Sequence, residues 1–273
     1  AALAEELDRN LKQAQKLWML ATASGNQLMQ IRSVSTFGRK YYQGPNLQNM
    51  PKMVRHAGLG NCHEYDIESS VFAWKLSWFE TICQANKTKI SMPATLEYLD
   101  HKQAIRKRLA QVVFDTTNDW AVNTIKELIT AIGFGAPLRA QGYVADNRYQ
   151  KPALAQIITA TSRLDRALDD PWLQEFVQEQ RNMNQAIVAL AQVNMIEELK
   201  QVPELWEKGQ RKLRANSVVS YLYQHAEREM LDYAEQFCAD REVLLTVHDC
   251  IYTRHAVKLA ELRSGIQQFG KYF

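Results

Sequence analysis

Two aspartates, Asp66 and Asp249, stand where a carboxylate can hold a metal ion. Asp66 follows Tyr65 and precedes Ile67, at what reads as the end of a strand. Asp249 lies in the centre of residues 242–254 (EVLLTVHDCIYTR), a β-branched, apolar run around His248-Asp249 that reads as a hairpin tip. A carboxylate on a strand tip is exposed and rigidly held, which suits a hard divalent cation. Two of them from distant parts of the chain could hold a pair of Mg²⁺ ions. Such a pair stabilises both the attacking and the leaving oxygen of a phosphoryl transfer. Taken alone, two turn aspartates would look the same, because Asp bonds local backbone amides in turns. Lys126, Thr130 and Phe134 form a second group, spaced i, i+4, i+8 on one helical face. The ammonium could take phosphate charge while the ring stacks on base or sugar. A surface lysine above a core phenylalanine is also consistent with that spacing.

These residues need elements to position them. Residues 1–30 read as an amphipathic helix, with Leu7, Leu11, Ala14, Leu17, Trp18 and Ala21 at helical spacing. Glycines and prolines punctuate residues 31–61, which read as loop or short strands. A strand ending near Asp66 should lead into a helix from about Ser69 to Ala85, and residues 94–112 read as a basic helix. Asp115-Thr116-Thr117-Asn118-Asp119 offers N-caps for a helix that stops at Gly133-Phe134-Gly135-Ala136-Pro137. Two or three helices are expected over 152–202, broken at Asp169-Asp170-Pro171, then a short and a long helix to 238. The result is a helix-dominated α+β chain with a small central sheet and no linker between independent domains.

Composition narrows the function. The chain has 273 residues with 46% apolar and 23% charged side chains, the mix of a globular protein. No apolar run approaches a membrane span, and the charged start is not a signal peptide. The first residue is not Met, as in a fragment or a processed chain. Four cysteines without a C-x-x-C pair argue against a zinc site or a disulfide framework, and for a cytoplasmic rather than a secreted protein. The net charge of +3 names no partner. Its distribution says more: residues 1–60 carry eight Lys/Arg against three Asp/Glu, with further basic blocks at residues 101–108 and 211–214, any one of which a solvated surface would explain. A phosphate backbone would be drawn to such blocks.

Five segments resemble, in order, the polymerase domain of family A (polymerase I-like) DNA polymerases and the related single-subunit phage RNA polymerases. Thr36-Phe37-Gly38-Arg39 with Pro45-Asn46-Leu47-Gln48-Asn49-Met50-Pro51 is similar to T-x-G-R…P-N-L-Q-N-I-P. Asp66-Ile67-Glu68-Ser69-Ser70-Val71 resembles motif A, and Lys126 with Phe134-Gly135 resembles motif B. Asn216 and Ser220 lie where polymerase I enzymes have N-x-x-x-Q and phage RNA polymerases N-x-x-x-S. Val247-His248-Asp249 resembles motif C.

The resemblance implies a polymerase palm, a small antiparallel sheet, with helical fingers and most of the thumb absent. Residues 1–35 would end the thumb or form a leading helix. Residues 36–90 and 206–273 would form the palm, and 91–205 the fingers. Asp66, Asp249 and the Ile67 carbonyl would hold two Mg²⁺ ions, with Mn²⁺ as an alternative. Lys126 would serve the incoming triphosphate, with Phe134, Thr130 and Val71 around the nucleotide. Arg39, Asn46, Gln48, Asn49, Asn216, Ser220 and His248 would touch primer-template. The expected partners are primer-template and dNTPs, with rNTPs as alternatives, and an accessory or thumb segment, but no membrane. A bacterial, phage or plasmid setting would follow. Four positions depart from the family pattern. Cys250 stands where motif C often has Glu. Val122 replaces a triphosphate-gripping Arg, whose part Arg106 or Arg108 could take. Val71 replaces a sugar-gating Glu, and Phe134 a Tyr. A phage-type RNA polymerase or primase, and a non-catalytic nucleic-acid-binding relic, are the competing readings.

Overall fold

The structure, a computed structural model, describes residues 2–25, 31–32, 42–44, 46–87, 91–139, 142–145, 148–207 and 212–273. Along the chain, α1 (Ala2–Ala23) precedes two short paired strands, β1 (Ile31–Arg32) and β2 (Tyr42–Gln43). Then come α2 (Lys52–Leu59), β3 (His63–Asp66), α3 (Ser70–Ala85), α4 (Pro93–Phe114) and α5 (Asp119–Gly133). A small antiparallel pair, β4 (Tyr143–Ala145) and β5 (Arg148–Gln150), leads to α6 (Ala153–Ile157), α7 (Thr161–Leu168), α8 (Pro171–Asn194) and α9 (Ile196–Lys200). The chain closes with α10 (Ala215–Phe237), β6 (Val243–Val247), β7 (Cys250–Thr253) and α11 (Leu259–Ile266). Helices dominate, and the largest sheet among the described residues has three antiparallel strands in the order β3-β7-β6. No helix among those residues is long and apolar enough to cross a membrane.

The chain divides into two units. The first comprises residues 1–68, 222–269 and 273. Its sheet packs a core of Tyr42, Leu59, Leu245, Val247, Cys250 and Tyr252. Removing such side chains from water is worth roughly 1.5–3 kcal/mol for each large one. Helix α2 is a correction to the loop expected over 31–61. Pro51 precedes it in an extended conformation, Leu59 reaches the core, and Gly60 ends it at φ 68° with its amide bonded to the His56 carbonyl. Burial of Leu59 outweighs the turn signals on either side. The stripe expected on α1 buries little in this unit: Leu17 is buried, but Leu7, Leu11 and Trp18 are exposed.

The second unit comprises residues 69–221 and 270–272. Helix α5 buries Ala121, Ile125, Leu128, Ile129 and Ile132, the i, i+4, i+7, i+8, i+11 stripe of an amphipathic helix. Asn118 is its N-cap and accepts from the Ala121 amide at 2.9 Å. Helix α4 has no cap of its own. Instead Glu179, buried on α8, accepts from the amides of Ala94 and Thr95 at 2.9 and 2.7 Å. A carboxylate there satisfies orphan donors and the positive end of the helix dipole. Phe72, Tyr98, Trp172 and Phe176 form the aromatic centre, with Phe72 edge-on to Tyr98 at 5.2 Å and Trp172 stacked on Phe176 at 5.1 Å. Residues 152–202 hold four helices where two or three were expected. The break at Asp169-Asp170-Pro171 is present: Asp170 caps α8 and Pro171 is its first residue.

Candidate active site

In the first unit the sheet brings Asp66 and Asp249 side by side. Asp66 ends β3 and faces Cys250 across the ladder to β7, about 5 Å apart between α-carbons in antiparallel geometry. Asp249 is the residue before Cys250, in the two-residue turn His248-Asp249 that joins β6 to β7. The Ile67 amide donates to the Asp249 carbonyl at 3.0 Å and extends the ladder past the last registered pair. His248 carries the positive φ, 54°, that a tight hairpin turn demands. Asp66 is exposed and Asp249 half-buried.

Two carboxylates at one sheet edge are a hard-oxygen donor set. Mg²⁺ keeps several waters and commonly takes one or two carboxylates together with substrate phosphates, so these residues fit it. Among the described residues no group of three or more His, Cys, Asp or Glu side chains is arranged to hold a metal. A site built here would therefore rest on the carboxylate pair.

Glu64, two residues before Asp66 on β3, accepts from Lys52 at 2.7 Å, His56 at 3.0 Å and the Tyr252 hydroxyl at 3.2 Å. Burial pushes its pKa up, but the hydrogen bonds from Lys52 and His56 outweigh that and hold it below the ordinary value. This network ties α2 to the strand that carries Asp66. Nothing in the motifs pointed to Glu64, although period-two alternation places it on the Asp66 face. Burial, then Glu64, Asp66 and Asp249, push the Cys250 thiol up to about 12. Cys250 is thus a buried neutral thiol beside three carboxylates.

From Asn46 to Met50 the segment resembling P-N-L-Q-N-I-P is a folded turn. Asn46 is 1% exposed; it donates to the carbonyls of Tyr42 at 3.0 Å and Gly44 at 2.7 Å and accepts from the Asn49 amide at 3.1 Å. Gln48 is buried and accepts from the Tyr42 amide at 3.2 Å. These two candidates for nucleic-acid contact face inward, and Asn49 alone of the three is exposed. His248 and Gln48 line one pocket with Glu227, Arg228, Asp232 and Thr246. Arg39 lies outside the described residues.

The second unit holds the remaining candidates. Lys126 is exposed on α5, and the Thr130 hydroxyl donates to its carbonyl at 2.9 Å. Phe134 is half-buried just past the helix end, so it belongs to the terminating turn rather than to the helix. Gly135 follows at φ 81°, and its carbonyl accepts from the Asn216 side-chain amide at 2.6 Å. A methyl group on Gly135 would collide with Asn216. The structure thus joins the segment resembling motif B to the Asn216-x-x-x-Ser220 helix. Ser220 is half-buried on α10. Val71 is 5% exposed inside α3, so it presents no open surface to a sugar. Arg106 and Arg108 are committed elsewhere. Arg106 is buried and donates to the Tyr98 hydroxyl at 2.8 Å. Arg108 forks onto Asp170 at 2.6 and 3.0 Å. Neither is placed to substitute for the arginine absent at Val122.

No protein-family model matches this chain, and no curated protein is significantly similar to it.

Proposed function

We propose that the chain is a template-directed nucleotidyltransferase of the family A DNA polymerase type. The observation that carries this reading is the adjacency of Asp66 and Asp249. Residues 183 positions apart, each in a segment resembling a polymerase motif, meet at one sheet edge through the Ile67–Asp249 hydrogen bond. The second support is the turn after α5, where Phe134 sits between Gly133, bonded by Lys75, and Gly135, bonded by Asn216.

In this reading Asp66, Asp249 and the Ile67 carbonyl would hold Mg²⁺, which would supply acidification of a primer 3′-hydroxyl and charge neutralisation at the departing pyrophosphate. The chain's own residues bind and orient. Lys126 meets triphosphate charge and can give a proton to the leaving group. Phe134 offers its ring to the nascent base pair. Asn49, Asn216, Ser220 and His248 contact primer-template, where minor-groove acceptors are shared between A·T and G·C pairs. The basic residues of the three blocks other than Arg106 and Arg108 add salt-sensitive affinity for any sequence.

Primer extension with dNTPs and rNTPs in parallel tests the proposal. Extension in Mg²⁺ is expected, with dNTPs preferred. A ratio of kcat/KM below one would assign the chain to the phage-type RNA polymerase reading. Binding of primer-template without extension of either kind would leave the non-catalytic reading.

A further inference from the structure

Lys75 lies on α3 with no exposed surface. Its Nζ donates to the Gly133 carbonyl at 2.7 Å and to Gln180 Oε1 at 2.5 Å. Among the described residues no carboxylate bonds it. Glu179, the neighbouring buried acid on α8, is occupied by the amides of Ala94 and Thr95 and by the Thr95 hydroxyl. An uncharged amine has two N–H hydrogens, and the two acceptors use both. An ammonium has three and would leave one unmatched in the interior. Burial also holds the Lys75 pKa well below the ordinary lysine value.

The acceptor matters as much as the donor. Gly133 is the last residue of α5, and its carbonyl has no partner within the helix. Lys75 supplies one, and Asn184 Nδ2 adds a longer bond at 3.3 Å. Gly133 has no room for a side chain, because a methyl group would meet Phe72 at 2.6 Å. Two residues on, Asn216 bonds the Gly135 carbonyl. The backbone on both sides of Phe134 is therefore gripped, by Lys75 before it and Asn216 after it. Water could have satisfied these carbonyls at an exposed helix end. A dedicated buried lysine, which must shed its charge to sit there, is costly by comparison.

We infer that Lys75 is a positioning residue: through Gly133 it fixes the turn that presents Phe134 and so sets how well a nucleotide is held. This role rests on the reading of α5 as a nucleotide-binding helix. The clamp itself does not, and the two are tested separately.

In the unaltered chain the amides of Phe134, Gly135 and Ala136, bonded to the carbonyls of Thr130, Ile132 and Ala131, should exchange hydrogen as slowly as the body of α5. Loop-like exchange there would overturn the clamp without any variant. In Lys75→Met, which keeps length and removes both donors, the same amides should exchange about three- to tenfold faster, the size expected for one buried hydrogen bond. Unchanged exchange would also overturn it. The KM for a dNTP in primer extension should rise by a similar factor, with kcat and primer-template affinity nearly unchanged and no loss of melting temperature, a split that general loosening would not give. Faster exchange with an unchanged KM would overturn the positioning role. A wild-type chain that exchanges as expected but extends no primer would count against the polymerase reading and leave the clamp standing.

Discussion

The Ile67 amide reaches the Asp249 carbonyl at 3.0 Å, one step beyond the paired residues Asp66 and Cys250. One backbone hydrogen bond therefore registers the end of β3 against the β6–β7 turn and fixes the backbone spacing of two aspartates that the chain order keeps far apart. A slip of one residue would take Asp66 off its pairing with Cys250 and turn its side chain to the other face of the sheet.

Removal of either charge should be decisive. Asp66→Asn or Asp249→Asn is expected to lower nucleotide addition by at least about three orders of magnitude, as loss of several kcal/mol of metal-borne stabilisation requires. Primer-template affinity should hold, because deleting a negative charge cannot weaken phosphate contacts. Extension assays paired with fluorescence anisotropy measure both. Near-normal extension by either variant would remove the pair from the chemistry.

The thiol of Cys250 should be inert. With its pKa pushed up to about 12 by burial and by Glu64, Asp66 and Asp249, almost none is thiolate at pH 8. Iodoacetamide on the native protein should modify the half-buried Cys62 first and reach Cys250 only after denaturation. Mass spectrometry of the labelled peptides checks this, and rapid native labelling at Cys250 would contradict the electrostatic picture.

Lys75 links stability to pH with a definite sign. Burial depresses its folded-state pKa, so below 10.5 the unfolded chain binds a proton that the folded chain lacks, and stability rises with pH toward 10.5. The contribution is full above that value and is lost as pH falls toward the folded pKa, at a slope of up to about 1.4 kcal/mol per pH unit. Lys75→Met should flatten the slope and be at least as stable as the wild type at pH 7. Urea unfolding of both proteins from pH 7 to 10 gives the difference, and parallel curves would refute the linkage.

Asn46 should behave as a structural residue. Its three hydrogen bonds close the turn from Tyr42 to Asn49, so Asn46→Ala is expected to cost about 2–3 kcal/mol. Primer-template affinity, measured below the melting transition, should change less than twofold. A large loss of affinity with unaltered stability would restore Asn46 to the nucleic-acid surface.

Much of the local structure was legible in the residues because its causes are local. A β-branched, apolar run marked the β6–β7 hairpin, and the N-cap candidates over residues 115–119 and the double glycine with proline marked the ends of α5. Those same signals placed Asp66 and Asp249 on strand tips. Helix α2 escaped notice because its support is not local: Pro51 and Gly60 read as turn punctuation, and only burial of Leu59 against the sheet makes the segment between them helical.

The candidate site divides in the same way. Residue type and order, by themselves, determined that two carboxylates stand at strand ends and that a lysine and an aromatic stand on and just past one helix. Only the tertiary structure decided that Asn46 and Gln48 turn inward, that Val71 is covered, that Arg108 is spent on Asp170, and that Glu64 braces the Asp66 strand. Lys75 is the sharpest case. In the run Val71–Leu76 it looks like an intrusion of charge into an apolar helix. Its two acceptors lie 58 and 105 residues away, and a buried donor takes its meaning from partners that only folding brings within hydrogen-bond distance.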